Sequence, residues 1–417
     1  MSKGKICFIG KPINKLLEEY RSLGFEIAVA IDVNDLVTKF PEWLSEIYKI
    51  DMSSEASITE ALPLLKDASI TIVLSTNESY VLPKSWITTA LQLPGTSPES
   101  ASASSDKYIM RSKFAQYEEA NKVKISTQFA QVESRTDLEN FAKKHQFPLI
   151  LKPANLFKSI LVTKAHNLEE LLMQYEYALP KVAQLYKDNN VRQRQPRFVV
   201  EEFLVGKMHS VEAFIDSAGK AYFAPSVVDL TIAKEIGVDD NFHFSRMIPS
   251  KLDDAKSSTF FEIAQEGVLA LGLSNTATHI ELVDTQDGPR IIEIGARIGG
   301  YRCEMFQHAY NSDLKLAEIA VVTNQVPQFD TKVKANVAVI ELFPEQEGKF
   351  KKIANQEQLE KLPSCMSYSI KRKPGDNIGL SNQGYKATAV IFLKNKSNEQ
   401  FQSDYNFVKT QVKVLCS

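Results

Sequence analysis

Two glutamates and an arginine carry the chemistry most readily read from this chain. They lie in His279-Ile280-Glu281-Leu282-Val283-Asp284 and in Arg290-Ile291-Ile292-Glu293-Ile294-Gly295-Ala296-Arg297-Ile298-Gly299-Gly300. Strand side chains alternate between faces, so Glu293 falls on one side of Arg290–Ile294, with Ile292 and Ile294 on the other. The turn signal Asp287-Gly288-Pro289 predicts an antiparallel hairpin that sets Glu281 beside Glu293. Two carboxylates that close repel unless a cation sits between them. Hard oxygen donors of this kind suit Mg²⁺, which keeps some of its waters and bridges to phosphates. Arg297 is then placed to meet an anion beside the metal. The plain alternative is an exposed hairpin bearing two unrelated acids.

Upstream, a series of charged residues occurs in a fixed order: Lys107, Lys152, then Glu201 and Glu202. Two lysines on separate structural units can neutralise the phosphates of a nucleotide. The apolar strand end Glu201-Glu202-Phe203-Leu204 can offer backbone and carboxylate partners to an adenine edge. Arg297 can stabilise charge that develops during phosphoryl transfer.

These residues need elements to position them. Lys5–Ile9, Phe25–Ile31 and Ser69–Leu74 read as apolar strands, with a helix over Ile13–Leu23. Strands alternating with helices predict a parallel sheet covered on both faces. No GxGxxG is present, so this unit reads as a scaffold. A Pro/Gly/Ser-rich connector follows over Leu93–Ser105. A helix opens at Asp106 or Ser105 as cap, a strand runs over Phe147–Pro153, and a helix covers Leu168–Ala178. Lys187–Arg197 reads as a basic loop, Arg197–Leu204 as a strand, and Met208–Ile215 and Ala221–Val228 as strands. Asp229–Arg246 reads as a loop-like stretch carrying Glu235, His243 and Arg246, with His243 a candidate substrate contact. Helices are expected over Phe260–Leu271, Leu314–Val321 and Gln356–Lys361, and strands over Ala335–Glu341 and Ala387–Phe392.

The 51 acidic residues nearly balance 49 basic ones, which gives no overall basic field for nucleic acid and no polybasic membrane signal. No apolar run is long enough to span a bilayer, and MSKGKICFIG runs into a strand without a signal-peptide pattern. Four scattered cysteines, with no CxxC, fit a reducing cytoplasm; Cys303 is expected to pack near the site.

The ordered set resembles the ATP-grasp superfamily of carboxylate–amine or thiol ligases. The matching stretches are DKYIMR, PLILKP, VVEEFLVG, HSVEAF with Glu212, and HIELVD…IIEIGARIGG. The resemblance implies an α/β and α+β architecture of four parts. These are a Rossmann-like domain over 1–105, a central lysine-bearing subdomain over 106–205, a metal-binding subdomain over 206–325 and a mixed C-terminal domain over 326–417. It implies that Lys107, Lys152 and the flap's Ser159 bind ATP phosphates, and that Glu201, Glu202, Phe203 and Leu204 border adenine. It further implies that Glu281 and Glu293 hold Mg²⁺, with Mn²⁺ as a workable substitute, and that Arg297 contacts an acyl-phosphate. EIGARIGG is most similar to L-amino acid ligases, where ATP phosphorylates a carboxylate and an amine then displaces the phosphate. Small-molecule acid and amine substrates follow from this, and homodimers are common among similar proteins.

The chain departs from the common pattern in three places. Gly295 stands where many members have Asn. Met208 stands where many hold the ribose with Glu, and His209 beside it is the expected substitute. The flap Lys152–Val162 contains no glycine, so a stiffer, greasier flap is expected; this also argues against biotin carboxylase itself. Arg302, after Gly299 and Gly300, is a candidate bidentate clamp for a substrate carboxylate, while Tyr301 and Phe306 are expected to pack. The competing reading is a non-catalytic nucleotide- or metabolite-binding protein on the same fold.

Overall fold

Apolar side chains on alternate positions of the first strand face two different cores. The computed structural model describes residues 3–417, except 36–38, 157, 158, 190, 192, 193, 239 and 241. Strands β1 (Lys5–Ile9), β2 (Glu26–Asp32), β3 (Ile47–Ile50) and β4 (Ile72–Leu74) form a parallel sheet in the order β3-β2-β1-β4. Ile6 and Phe8 pack with Leu17 and Tyr20, whereas Cys7 and Ile9 pack with Ile58, Leu65 and Ile87. The sheet is therefore covered on both sides, as the strand–helix alternation predicts. The expected connector over Leu93–Ser105 instead contains the helix Pro98–Ser104. Ser97 caps it, Pro98 occupies the first turn, and small residues bury it against its neighbours.

A second sheet is antiparallel and runs β5-β8-β6-β7, from β5 (Phe129–Val132), β6 (Leu149–Pro153), β7 (Thr163–Ala165) and β8 (Phe198–Glu202). The helix Leu168–Asp188 packs on it through Leu171, Tyr175, Ala178 and Val182. It extends well beyond Ala178 into the stretch read as a basic loop, because Val182 and Tyr186 continue its apolar stripe.

The largest sheet begins with β9 (Lys207–Ile215), β10 (Ala221–Phe223), β11 (Val228–Ile232), β12 (His243–Ile248), β13 (Thr276–Thr285) and β14 (Gly288–Gly295). The chain then adds β15 (Asn336–Leu342), β16 (Gly348–Ile353), β17 (Cys365–Ile370), β18 (Asn377–Ile378), β19 (Ala389–Asn395) and β20 (Val414–Cys416). Its order is β14-β13-β9-β11-β12-β15-β19-β17, with β10 on β9; β18, β16 and β20 form a small separate sheet. Asp229–Arg246 is thus not a loop. Its ends are β11 and β12, paired antiparallel, and its polar residues misled the reading because the fold gives several of them buried partners. The single strand expected over Ala221–Val228 is two strands.

One face of this sheet is covered by the helices Arg302–Tyr310 and Leu314–Val322, where Phe214 and Ala277 meet Met305 and Phe306. The other is covered by the helix Asp254–Leu271, where Val211, Ala213, Ile280 and Leu282 meet Phe260 and Val268. Among the described residues no helix is long and apolar enough to cross a membrane.

Candidate active site

The β13–β14 hairpin places Glu281 directly opposite Glu293. Opposite residues on paired strands share a face, so both carboxylates project from one rung. His279 is opposite Glu212 of β9, and Glu281 is opposite Ser210, so this row lies on the same side. A bulge follows at once: Leu282 pairs with Ile291, and Ile292 is the extra residue. Alternation is reset there. Ile291 and Ile294 are the core residues, whereas Ile292 is only half-buried, which corrects the expected Ile292/Ile294 pairing.

Lys107 opens the helix Lys107–Asn121, whose N-cap Asp106 accepts from Tyr108 and Ile109. Its Nζ lies 3.0 Å from Glu293 Oε1 and donates to the Leu156 carbonyl at 2.8 Å. Lys152 ends β6, buried, with Nζ 2.7 Å from Glu201 Oε2. Burial pushes the Lys152 ammonium down to about 8, although Glu201 opposes the shift. Arg111, one helical turn after Lys107, completes this group. Its Nε is 3.0 Å from Glu201 Oε1, and its Nη2 donates to the Ile292 carbonyl at 2.6 Å. Burial works against the Glu201 charge, but Arg111 and Lys152 outweigh it and hold the carboxyl below its usual range. Glu202, next along β8, points the other way and bonds His145 at 2.9 Å. Lys164 lies 3.7 Å from the centroid of the Phe203 ring.

Around Glu281 the partners are imidazoles. His279 Nε2 is 3.3 Å from Glu281 Oε1, and His243 Nδ1 is 3.9 Å from it. Burial raises the cost of the Glu281 charge, yet His243, His279 and Arg302 hold its carboxyl far below the ordinary range. Burial lowers His243 to about 4. His279 is fixed from behind by Glu212 Oε1 at 2.5 Å, and Glu212 Oε2 accepts from the Gly299 N–H at 2.8 Å. A Cβ on Gly299 would stand 2.6 Å from His279 Nδ1 and 2.8 Å from Glu212 Oε1, so only glycine allows this approach. Gly300 faces open space.

Arg297 reaches back to the first sheet, where its Nε is 2.7 Å from Glu78 Oε2. Glu78 follows β4, and the carboxyl ends of strands are where α/β sheets build crevices. Burial raises the Glu78 carboxyl, with Arg297 pulling the other way. A Cβ on Gly295 would come within 2.9 Å of Glu78 Oε2, so a side chain there would have to displace the carboxylate that Arg297 holds.

Two expected ligand contacts are repositioned. His209 lies on the opposite face of β9, edge-on to Phe260, with Nδ1 3.1 Å from Asp229 Oδ1. A strand alternates, so the residue beside the site-facing Ser210 cannot share its side. Arg302 is only 2% exposed and already engaged: Nε is 3.2 Å from Glu212 Oε1, Nη2 donates to Ser210 Oγ at 3.0 Å and Nη1 to the Gly300 carbonyl at 3.2 Å. It braces the glycine turn and is closed to a substrate carboxylate. Phe306 packs in the core as expected, and burial pushes the Cys303 thiol up to about 12, in keeping with packing.

In the flap, Phe157 and Lys158 lie outside the described residues. Ser159 and Leu161 adopt left-handed φ values of 56° and 55°, the conformation glycine would supply elsewhere. Leu156, Ile160 and Leu161 are buried in the core of the second sheet.

The donor set fits a divalent hard cation. Glu293 commits Oε1 to Lys107 and Glu281 commits Oε1 to His279, while their Oε2 atoms take no hydrogen bond from the described residues. No cluster of three or more His, Cys, Asp or Glu that could hold a metal occurs among the described residues, so a cation between Glu281 and Glu293 would need its remaining ligands from outside the protein.

Residues 145–304 match the family model described as ATP-grasp domain. The chain is 27% identical to alanine–anticapsin ligase of Bacillus subtilis over 271 residues, covering 60% of this chain and 53% of that protein. It spans about half the length of such curated relatives. Its whole length superposes on the whole of an L-amino acid ligase from Bacillus licheniformis with a TM-score of 0.77 at 17% identity. The biotin carboxylase domain dimer of Hydrogenobacter thermophilus 2-oxoglutarate carboxylase, solved with MgADP and bicarbonate, gives 0.69 at 11% identity, covering 100% of this chain and 92% of that one. The family match thus covers residues 145–304, and the fold is the ATP-grasp fold that the chain shares with these structures.

Proposed function

We propose that this chain is an ATP-dependent carboxylate–amine ligase that activates an acid, an amino acid in our reading, as an acyl-phosphate. The observation that carries the reading is the one-rung pair Glu281/Glu293, with Lys107 on Glu293 and the Lys152–Glu201–Arg111 group behind it. In this scheme Lys107, Lys152 and the flap's Ser159 take the triphosphate, and Glu201–Leu204 borders adenine. Glu281 and Glu293 would hold Mg²⁺, which when bound would offset the negative charge of the phosphates. The substrate carboxylate attacks the γ-phosphorus and ADP leaves. Arg297, oriented by Glu78, stabilises the phosphoryl charge. The amine nitrogen then attacks the acyl carbon, phosphate departs with the C–O bond electrons, and the nitrogen loses a proton. Gly300, which faces open space, leaves room for the substrate beside this centre, and Gly299 sets the turn that carries it.

We assign a Rossmann-like scaffold to 1–105, the flap and adenine hinge to 106–205, metal binding and catalysis to 206–325 and a mixed C-terminal domain to 326–417. A cytoplasmic setting and a homodimer complete the proposal. The test is a phosphate-release screen over amino acids taken in pairs, with products weighed by mass spectrometry. The expected result is ADP, phosphate and a condensation product for at least one pair. Tight MgATP binding by calorimetry with no product from any pair would instead favour the non-catalytic reading, for which the glycine-free flap is the motivating feature.

A further inference from the structure

Beyond Glu281 and His243, the site side of the large sheet runs into a cluster that phosphoryl transfer leaves unused. Arg246 of β12 has Nη1 2.9 Å from Glu341 Oε2 of β15, and the same nitrogen donates to the His243 carbonyl at 3.0 Å. Tyr301 donates its hydroxyl to the other oxygen of Glu341 at 2.8 Å. The Arg246 guanidinium lies 5.5 Å from the centroid of the Tyr301 ring, which packs edge-on to Phe392. Tyr301 adopts φ +65°, a left-handed conformation that is costly for a bulky side chain. The turn after Gly299-Gly300 is thus held so that Tyr301 reaches both Glu341 and Arg246.

This arrangement differs from a closed ion pair. Glu341 divides its oxygens between a phenol and a single guanidinium nitrogen. Nε and Nη2 of Arg246, the edge that forks a carboxylate, have no hydrogen-bond acceptor among the described residues. The side chain is 14% exposed, against 2% for the fully engaged Arg302. Location decides which substrate it serves. The acid to be phosphorylated belongs at the Glu293 end, with Lys107 and Arg297. Arg246 stands past the Glu281 end, behind His243.

We propose that Arg246 selects the amine substrate by forking a carboxylate which that substrate carries, with Glu341 and Tyr301 holding the guanidinium in place. The proposal rests on the ligase reading. It makes β15, which follows the metal-binding region in the chain, a contributor to specificity, and makes the acceptor an amino acid with a free carboxylate rather than a simple amine.

The experiment fixes the acid substrate and compares two acceptors, an amino acid and its carboxamide, in the wild type and in Arg246→Gln. The expected wild type favours the free acid, and Arg246→Gln lowers that preference in kcat/KM by about 10- to 100-fold, mainly through KM. Arg246→Lys, which keeps charge but loses the fork, falls between. The double variant Arg246→Gln/Glu341→Gln removes both charges at once and serves if Glu341 left alone prevents folding; MgATP binding by calorimetry reports that the protein is intact. An acid-over-amide preference that survives in the variants overturns the assignment of Arg246 alone. No product from the wild type with any acceptor overturns the ligase reading, and this assignment with it.

Discussion

The two ends of the Glu281/Glu293 rung are built differently. Glu293 looks toward cations carried on one helix and one strand end: Lys107, with Arg111 and Lys152 tied through Glu201. Glu281 looks toward imidazoles and then toward Arg246, Tyr301 and Glu341, drawn from β12, the glycine turn and β15. The first end is a small set of basic side chains which, in the proposed reading, meets a ligand that never changes, a triphosphate. The second is assembled from distant stretches of chain and mixes neutral with charged groups, as suits a ligand that must be told from its neighbours.

That contrast is open to direct attack. The largest effect is expected at the phosphate end, where Glu201→Ala leaves Arg111 and Lys152 buried without their anion. It should cost about 3–5 kcal/mol of stability by denaturant titration. Lys152→Ala and Glu293→Ala should each lower kcat/KM by about 10²- to 10³-fold in a phosphate-release assay, which no single change at the acceptor end should match. Gly299→Ala pushes a methyl into His279 and Glu212 and should cost about 1–3 kcal/mol, read from the unfolding midpoint. The pH dependence comes next. Lys152 is an ammonium below about 8 and loses its proton above it. MgATP affinity in the wild type should therefore hold below that pH and fall above it, by at most about tenfold per unit, and this decline should vanish in Lys152→Ala. Smallest of all, His209→Gln should change MgATP affinity by less than about twofold, since the ring lies on the far face of β9. A large loss there would contradict the face assignment.

Legibility followed the same division. The hairpin could be read because turn chemistry and alternation act over a dozen residues, and they place Glu281 opposite Glu293. Lys107 at a capped helix start and Lys152 at a strand end were equally local signals. Arg111 was within reach, one turn from Lys107 on the same helix, but its partner Glu201 is ninety residues away in sequence. Glu78 had only its place after β4 to recommend it. His209 failed for a reason of parity: a shift of one position along a strand exchanges its faces. Arg302 failed because burial is a tertiary property, and the fold spends its guanidinium on Glu212, Ser210 and a carbonyl. Asp229–Arg246 was misread as loop because its polar residues are satisfied inside the structure.

The extra residue in β14 has a mechanical meaning. Ile292, set free from the regular ladder, gives its carbonyl to Arg111, and Arg111 also grips the acid behind Lys152. A single guanidinium thus ties β8 to β14, and Lys107, one turn earlier on the same helix, ties Glu293 of β14 to the Leu156 carbonyl that follows β6. The start of one helix thereby becomes a common anchor for three stretches of chain that are far apart in sequence, so a change at Lys107 or Arg111 should be felt in all three.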